Sequence, residues 1–230
     1  FFDIVIAIIA VCAAINAYNM MDGIDGLAGS MAGISLVGLA ILFSDTMPMM
    51  AKLCLIIAIA LIPYLLVNLN IPPFKRKIFL GDAGSMFLGF IIGYMVLFGS
   101  QHPELDPAFR PVTALWIIGL PLMDMVGIMI RRIRKGQSPL RPDRNHLHHI
   151  LLHAGFTPRE SLLLIVIANL GIVFFGVLAE QAKLPEWLMM VFYLLLFAAY
   201  SLCLAYAWKV GRCVKDIKQS AANSGRENSN

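Results

Sequence analysis

Seven stretches of nearly unbroken apolar sequence constrain what this chain can fold into: about Phe1 to Tyr18, Ala28 to Phe43, Ala51 to Val67, Met86 to Phe98, Val112 to Ile130, Leu162 to Leu178 and Trp187 to Trp208. Hydrocarbon offers no water to pair with backbone N–H and C=O groups, so such stretches close their hydrogen bonds internally as helices. Most approach the roughly 20 residues needed to cross ~30 Å of hydrocarbon. With 59% hydrophobic residues among 230, the chain exceeds what a soluble domain of that length uses. The expected fold class is all-α: a polytopic membrane helix bundle of about seven transmembrane helices over residues 1–210, then a polar tail over 211–230. The two shorter stretches, at Ala28 and Met86, are expected to borrow length from glycine-containing flanks or to bend around a buried site.

Basic residues orient the bundle, because cytoplasmic loops retain Lys and Arg. If the first segment runs outward to inward, one face receives Lys75, Arg76 and Lys77, then Arg131, Arg132, Arg134, Lys135, Arg141, Arg144 and Arg159, then Lys209, Arg212, Lys215, Lys218 and Arg226. That is fifteen of the eighteen Lys and Arg residues. Only Lys52, Arg110 and Lys183 fall on the other face, beside Asp45, Glu104, Asp106, Glu180 and Glu186. The C-terminus is therefore expected in the cytoplasm. The net charge of +4 lies mostly next to helix ends, where it serves topology and anionic-lipid contact, so no nucleic-acid partner is expected. After Lys218 the tail QSAANSGRENSN is polar and small-residue rich, a composition that suggests disorder.

Cys12, Cys54 and Cys203 lie in apolar spans and Cys213 in the tail, with no spacing that suggests zinc or a disulfide framework. The first residue is Phe, inside an apolar segment, as expected of the C-terminal portion of something longer. Gly89 and Gly93 form a GxxxG pattern, a common mark of helix contact. Homo-oligomerisation is left open.

Polar chemistry is confined to three strings. In NAYNMMDGIDGLAGS, Asn19, Asp22 and Asp25 recur every three residues, which on a helical turn places them along one side. Gly23, Gly26 and Gly29 leave neighbouring positions bare for a close approach. In IFLGDAGSM, Asp82 sits in a glycine-flanked turn at the mouth of the next span, where exposed amides can also take phosphate oxygens. Helix capping alone would account for any one of these aspartates. Several carboxylates and an amide beside membrane helices are costly unless they bind something, and an oxygen-only donor set suits Mg²⁺ shared with substrate phosphates, with Mn²⁺ an alternative. The third string is the long loop from Arg131 to Glu160, with His146, His148, His149 and His153 within eight positions. His149 and His153 have i, i+4 spacing but lack the companions of a zinc protease motif; imidazoles and guanidiniums there suit a bound pyrophosphate. His153 reads as helix filler.

These strings, with PDRNHLHHILLHAGF for the third, resemble the polyprenyl-phosphate N-acetylhexosamine-1-phosphate transferase family, from about Ala14 to Phe156. Leu147 separates His146 from His148, whereas the family's muramoyl-pentapeptide branch typically has three adjacent histidines; the spacing here is similar to the N-acetylglucosamine branch. The resemblance implies an enzyme of the bacterial inner membrane with a cytoplasmic-face active site. Its substrates would be UDP-N-acetylglucosamine and a polyprenyl (undecaprenyl) phosphate. The products would be UMP and the diphosphate-linked sugar that initiates a cell-envelope polysaccharide. It further implies Asp82 and Asn19 as magnesium ligands, and Asp22 and Asp25 as an essential acidic pair that acts with Asp82 in catalysis. Arg144, His146, His148 and His149 would hold the sugar nucleotide. Phe79 would stack on uracil, where helix packing is the plainer reading. The family also carries an adjacent aspartate pair on an early loop. No Asp-Asp dipeptide occurs here, so this chain is expected to be inactive if nothing replaces that pair.

Two other classes compete. Asp124, seven residues before Arg131 and on a shared helix face with it, is expected to make an ion pair or a polar contact inside the bundle. With Asp3 it could instead mark the proton or cation path of an ion-coupled transporter, although transporters place such groups at midplane. A membrane scaffold without catalysis is the remaining alternative.

Overall fold

A computed structural model describes residues 2–101, 106–138 and 146–227. Among them the chain is helical throughout, with no strand: α1 (Phe2–Met21), α2 (Leu27–Phe43), α3 (Pro48–Asn68), α4 (Gly81–Gln101), α5 (Pro111–Ile117), α6 (Gly119–Arg134), α7 (Leu147–His153), α8 (Pro158–Gln181) and α9 (Glu186–Glu227). Each apolar stretch became a helix or a helix pair, but a count of seven spans is not reached. Among the described residues five helices are long and apolar enough to cross a membrane, and six if α5 and α6 form one bent span. The stretch at Met86 did gain length from its flank, reaching 21 residues as α4. The stretch at Ala28 did not: α2 has 17 residues and lies largely buried among the others.

The bend between α5 and α6, 84°, follows from one residue. Pro121 has no N–H to donate to the carbonyl of Ile117, four residues back, so the ladder breaks there. The Ile117 carbonyl accepts instead from Ser35 Oγ of α2 at 2.7 Å, and Ser35 Oγ in turn accepts from the Tyr18 hydroxyl of α1 at 2.7 Å. A broken helix at membrane depth is tolerated where neighbours re-satisfy the freed backbone in this way. The Thr157 side chain and Glu160 close a capping box at the start of α8, with Pro158 at its first position.

The helices alternate in direction. The ends of α1, α3 and α6 and the starts of α2, α4 and α8 meet at one end of the bundle. Helix α4 lies against α1 through the glycine pair: a Cβ at Gly89 would come within 2.8 Å of Ile15 Cα, and one at Gly93 within 2.9 Å of Ala14 Cβ. The GxxxG pattern is thus an intramolecular helix contact. At the opposite end Arg110 pairs with Glu180 at 3.0 Å and donates to the Leu184 carbonyl, tying the starts of α5 and α9 to the end of α8. Exposed Ile4, Ile8, Ile56, Ile59, Leu163, Ile167, Phe174 and Leu195 line the outside of the long helices, as a lipid-facing surface requires. The protein is a multi-pass membrane protein. The backbone of α9 continues as helix to Glu227, through the stretch whose composition suggests disorder.

Candidate functional site

The end of α1 and the turn after it deliver Asn19, Asp22 and Asp25, and the first turn of α4 delivers Asp82. Gly26, with φ +77°, and Gly81, with φ +67°, occupy left-handed backbone that other residues adopt at a cost. The two strings meet directly. Asn19 Oδ1 accepts from Ser85 Oγ at 2.8 Å, and the Asp22 carboxylate accepts from the backbone N–H of Gly81. Desolvation of the half-buried Asp22 raises its pKa above the usual carboxylate range, and the negative charges of Asp82 and Asp25 push it further the same way. Lys77 neutralises part of this cluster through an ion pair with Asp25. Tyr64 of α3 faces Asp22 and Asp25 and accepts from the Leu80 N–H.

Asn68, at the end of α3 and 2% exposed, holds the two strings in register. Its Oδ1 accepts from the Gly26 N–H and its Nδ2 donates to the Ile78 carbonyl at 2.7 Å. An amide can serve a donor and an acceptor at once, so one side chain satisfies both loops.

The histidines join this cluster from the far side of the sequence. His148 is 1% exposed and stands on the acidic turn, where a Cβ at Gly23 would lie 2.0 Å from its Nε2. Its ring lies 5.8 Å from that of His146, nearly parallel, and 4.2 Å from that of His149. Burial lowers the His148 pKa to about 4, helped by the neighbouring imidazoles and opposed by Asp124, so this ring is neutral at pH 7. It can donate or accept a hydrogen bond at the site without bringing a positive charge. His153 Nδ1 donates to the His149 carbonyl at 2.7 Å, as helix filler would.

Phe79 does not pack in a helix: it lies before α4 and is 75% exposed. Arg144 lies outside the described residues, as does the side chain of Asp3. Asp124 makes the polar contact expected inside the bundle, 0% exposed, to partners the spacing did not indicate: His146, the Leu147 backbone and Tyr200. Lys77, read from sequence as a topology charge, and Ser85, Tyr64 and Asn68, which drew no reading, also belong to the site. A buried amide closing an apolar helix was the available signal for Asn68.

Among the described residues no group of three or more His, Cys, Asp or Glu side chains is gathered closely enough to hold a metal by itself. The donor set nevertheless suits Mg²⁺. This ion keeps several waters and is usually bound by one or two carboxylates plus substrate phosphates, and Asp22, Asp82 and the Asn19 amide oxygen stand together with negative charge to spare.

Residues 1–100 match the model of glycosyl transferase family 4. The chain is 45% identical over 197 residues to undecaprenyl-phosphate alpha-N-acetylglucosaminyl 1-phosphate transferase of Escherichia coli strain K12, covering 82% of this chain and 52% of that protein. The proteins of the same name from Salmonella typhimurium (44% over 194 residues; 82% and 52%) and Haemophilus influenzae (42% over 200 residues; 83% and 55%) are similar to it to the same degree. The chain spans about half the length of these relatives. The family match lies in its first hundred residues, and the likeness to these transferases runs over four-fifths of its length.

Proposed function

We propose that this protein transfers N-acetylglucosamine-1-phosphate from UDP-N-acetylglucosamine to a polyprenyl phosphate, undecaprenyl phosphate by the names of its relatives, and releases UMP. The carrying observation is the convergence, at one end of the bundle, of Asn19, Asp22, Asp25 and Asp82 with the His148 ring seated on Gly23. That end also carries Lys75 to Lys77 and the arginines that close α6, and the positive-inside rule thereby supports a position for it, and for the C-terminus, on the cytoplasmic side of a bacterial inner membrane. Ion-coupled transport needs carboxylates on a midplane path, and Asp124 is instead saturated by donors from the histidine loop and α9.

In this reading the prenyl phosphate, with a second pKa near 6, is largely dianionic at neutral pH and requires no strong base. One of its oxygens bonds to the β-phosphorus of the sugar nucleotide. The bond from that phosphorus to the bridging oxygen breaks, and its electron pair leaves with UMP. Asp82 and Asn19 would hold Mg²⁺, which neutralises pyrophosphate charge when bound. Asp22, half-buried beside two other carboxylates, keeps the local potential negative and so favours a cation over a bare nucleotide. His148, neutral and desolvated, is placed to donate to the departing phosphate, and exposed Phe79 offers a ring face for the base. The prenyl-linked product would begin a cell-envelope polysaccharide.

Hydrogen exchange on the 230-residue chain in detergent tests the substrate without requiring turnover. UDP-N-acetylglucosamine with Mg²⁺ is expected to protect residues 71–86 and 146–156. Chelation or Asp82→Asn should abolish the protection. Equal protection without the cation, or none under any condition, would overturn the reading. Transfer itself, followed as UMP release, is expected from this chain only when an acidic pair equivalent to the family's early one is supplied. Robust transfer by the 230 residues alone would remove that requirement.

A further inference from the structure

The Asp124 carboxylate is fully buried, and three elements donate to it. His146 Nδ1–H reaches Oδ2 at 2.9 Å, the Leu147 backbone N–H reaches Oδ1 at 3.1 Å, and the Tyr200 hydroxyl of α9 reaches Oδ1 at 2.6 Å. Leu147 is the first residue of α7, and the residue that should cap that helix, His146, makes no side-chain cap. A carboxylate from α6 performs the capping instead, across 23 residues of sequence. Because a carboxylate accepts only, it also fixes the proton of His146 on Nδ1 and turns Nε2 away from Asp124. One and two residues further along α7 come His148, seated on Gly23 with neither ring nitrogen hydrogen-bonded within the described residues, and His149. The histidine string would otherwise begin as an uncapped seven-residue helix, far too short to hold its shape alone.

We propose that Asp124 is a positioning residue: it anchors the start of α7 and so holds the imidazole of His148 on the acidic turn at Gly23, with Tyr200 bracing the carboxylate from behind. Gly23 is the other half of the device, since any side chain there would displace the ring. The consequence for substrate rests on the sugar-nucleotide reading above; the anchoring itself does not. A misplacement of about 1 Å at a reacting site can cost roughly 100-fold, so a carboxylate that never touches substrate can still govern the site through α7.

Two measurements on the whole chain decide it. Without ligand, amide exchange over residues 147–153 is expected to rise at least tenfold in Asp124→Asn and by less in Tyr200→Phe. It should stay unchanged in Glu180→Gln, which loosens the opposite end. Unchanged exchange in both anchor variants overturns the proposal, as would an equal rise in Glu180→Gln. Second, Asp124→Asn and His148→Ala are combined in a cycle read by the midpoint of Mg²⁺-dependent UDP-N-acetylglucosamine protection over residues 71–86. Each single variant should weaken the midpoint about tenfold, and the double variant little more than His148→Ala alone, because both act through one ring. Gly23→Ala should be damaging in the native background and tolerated beside His148→Ala. Additive losses overturn the anchoring role. If the native chain binds no sugar nucleotide, the functional reading falls, and the exchange measurement alone still decides the anchor.

Discussion

A neutral histidine sealed against a carboxylate turn makes a direct prediction at the level of one residue. His148 has its pKa near 4 in the folded chain, where an unfolded histidine titrates near 6.5. Between those values the unfolded chain takes up a proton that the buried ring refuses, so stability is fully present above about pH 6.5 and falls as the pH drops toward 4. The size of the loss is roughly 3 kcal/mol from this group. Melting in detergent should therefore show a decline below pH 6.5 that flattens in His148→Gln, which has nothing to titrate; an identical decline in both proteins would exclude the ring as its source. Asp82 makes a prediction about activity instead. It is exposed, so Asp82→Asn should leave the melting temperature within about 1 °C while transfer by the protein supplied with its acidic pair falls at least 100-fold, the order of magnitude for losing a group that fixes charge at a phosphoryl centre. Sequence spacing put Asp82 in a glycine-flanked turn at the mouth of a helix, and it stands in the first turn of α4. Spacing could not show that His148 is buried and uncharged, because that depends on what covers it.

Between elements, the site is assembled by contacts that carry no chemistry of their own. Asn68 links the turn before α2 to the segment before α4. Asn68→Leu would orphan the Gly26 N–H and the Ile78 carbonyl, at about 1–3 kcal/mol for each buried group left unpaired. A fall in melting temperature with faster exchange over residues 71–80 would register it; unaltered exchange would show that the link is dispensable. The α1–α4 contact sets the separation of Asn19 from Ser85. Backbone, not a movable side chain, meets a Cβ at Gly89, so Gly89→Ala should destabilise by about 1–3 kcal/mol, whereas Gly33→Ala, with open space around it, should be near neutral. Equal effects at the two glycines would deny the contact its importance. The GxxxG pattern was visible beforehand, but not its partner, since the spacing of small residues says that something approaches and not what. The bend at Pro121 has the same character: proline predicts a fault in the ladder, while its repair by Ser35 depends on a helix more than eighty residues away.

For the molecule as a whole, charge placement predicts an orientation in the membrane. Arg110, Glu180 and Lys183 lie at one end of the bundle, and the acidic turn, the histidine helix and Lys75 to Lys77 at the other. In a background lacking the native cysteines, Lys183→Cys is expected to react with a membrane-impermeant thiol reagent added outside intact cells, and Lys75→Cys only after the membrane is opened. The reverse labelling would invert the topology and move the proposed site away from cytoplasmic nucleotide.

The sequence by itself determined that this is a helical membrane protein, and it singled out the short polar strings whose carboxylates and imidazoles are the candidates for chemistry. Hydrophobic length, basic-residue asymmetry and short glycine-aspartate strings are local quantities that survive in one dimension. Only the tertiary structure decided that α2 is a short buried helix, that α5 and α6 are bent by a proline whose lost bond is replaced from α2, and that Asp124, Asn68 and Gly23 hold three separate strings together. Those roles depend on hydrogen bonds and close approaches between residues tens of positions apart, and such pairings exist only once the bundle has packed.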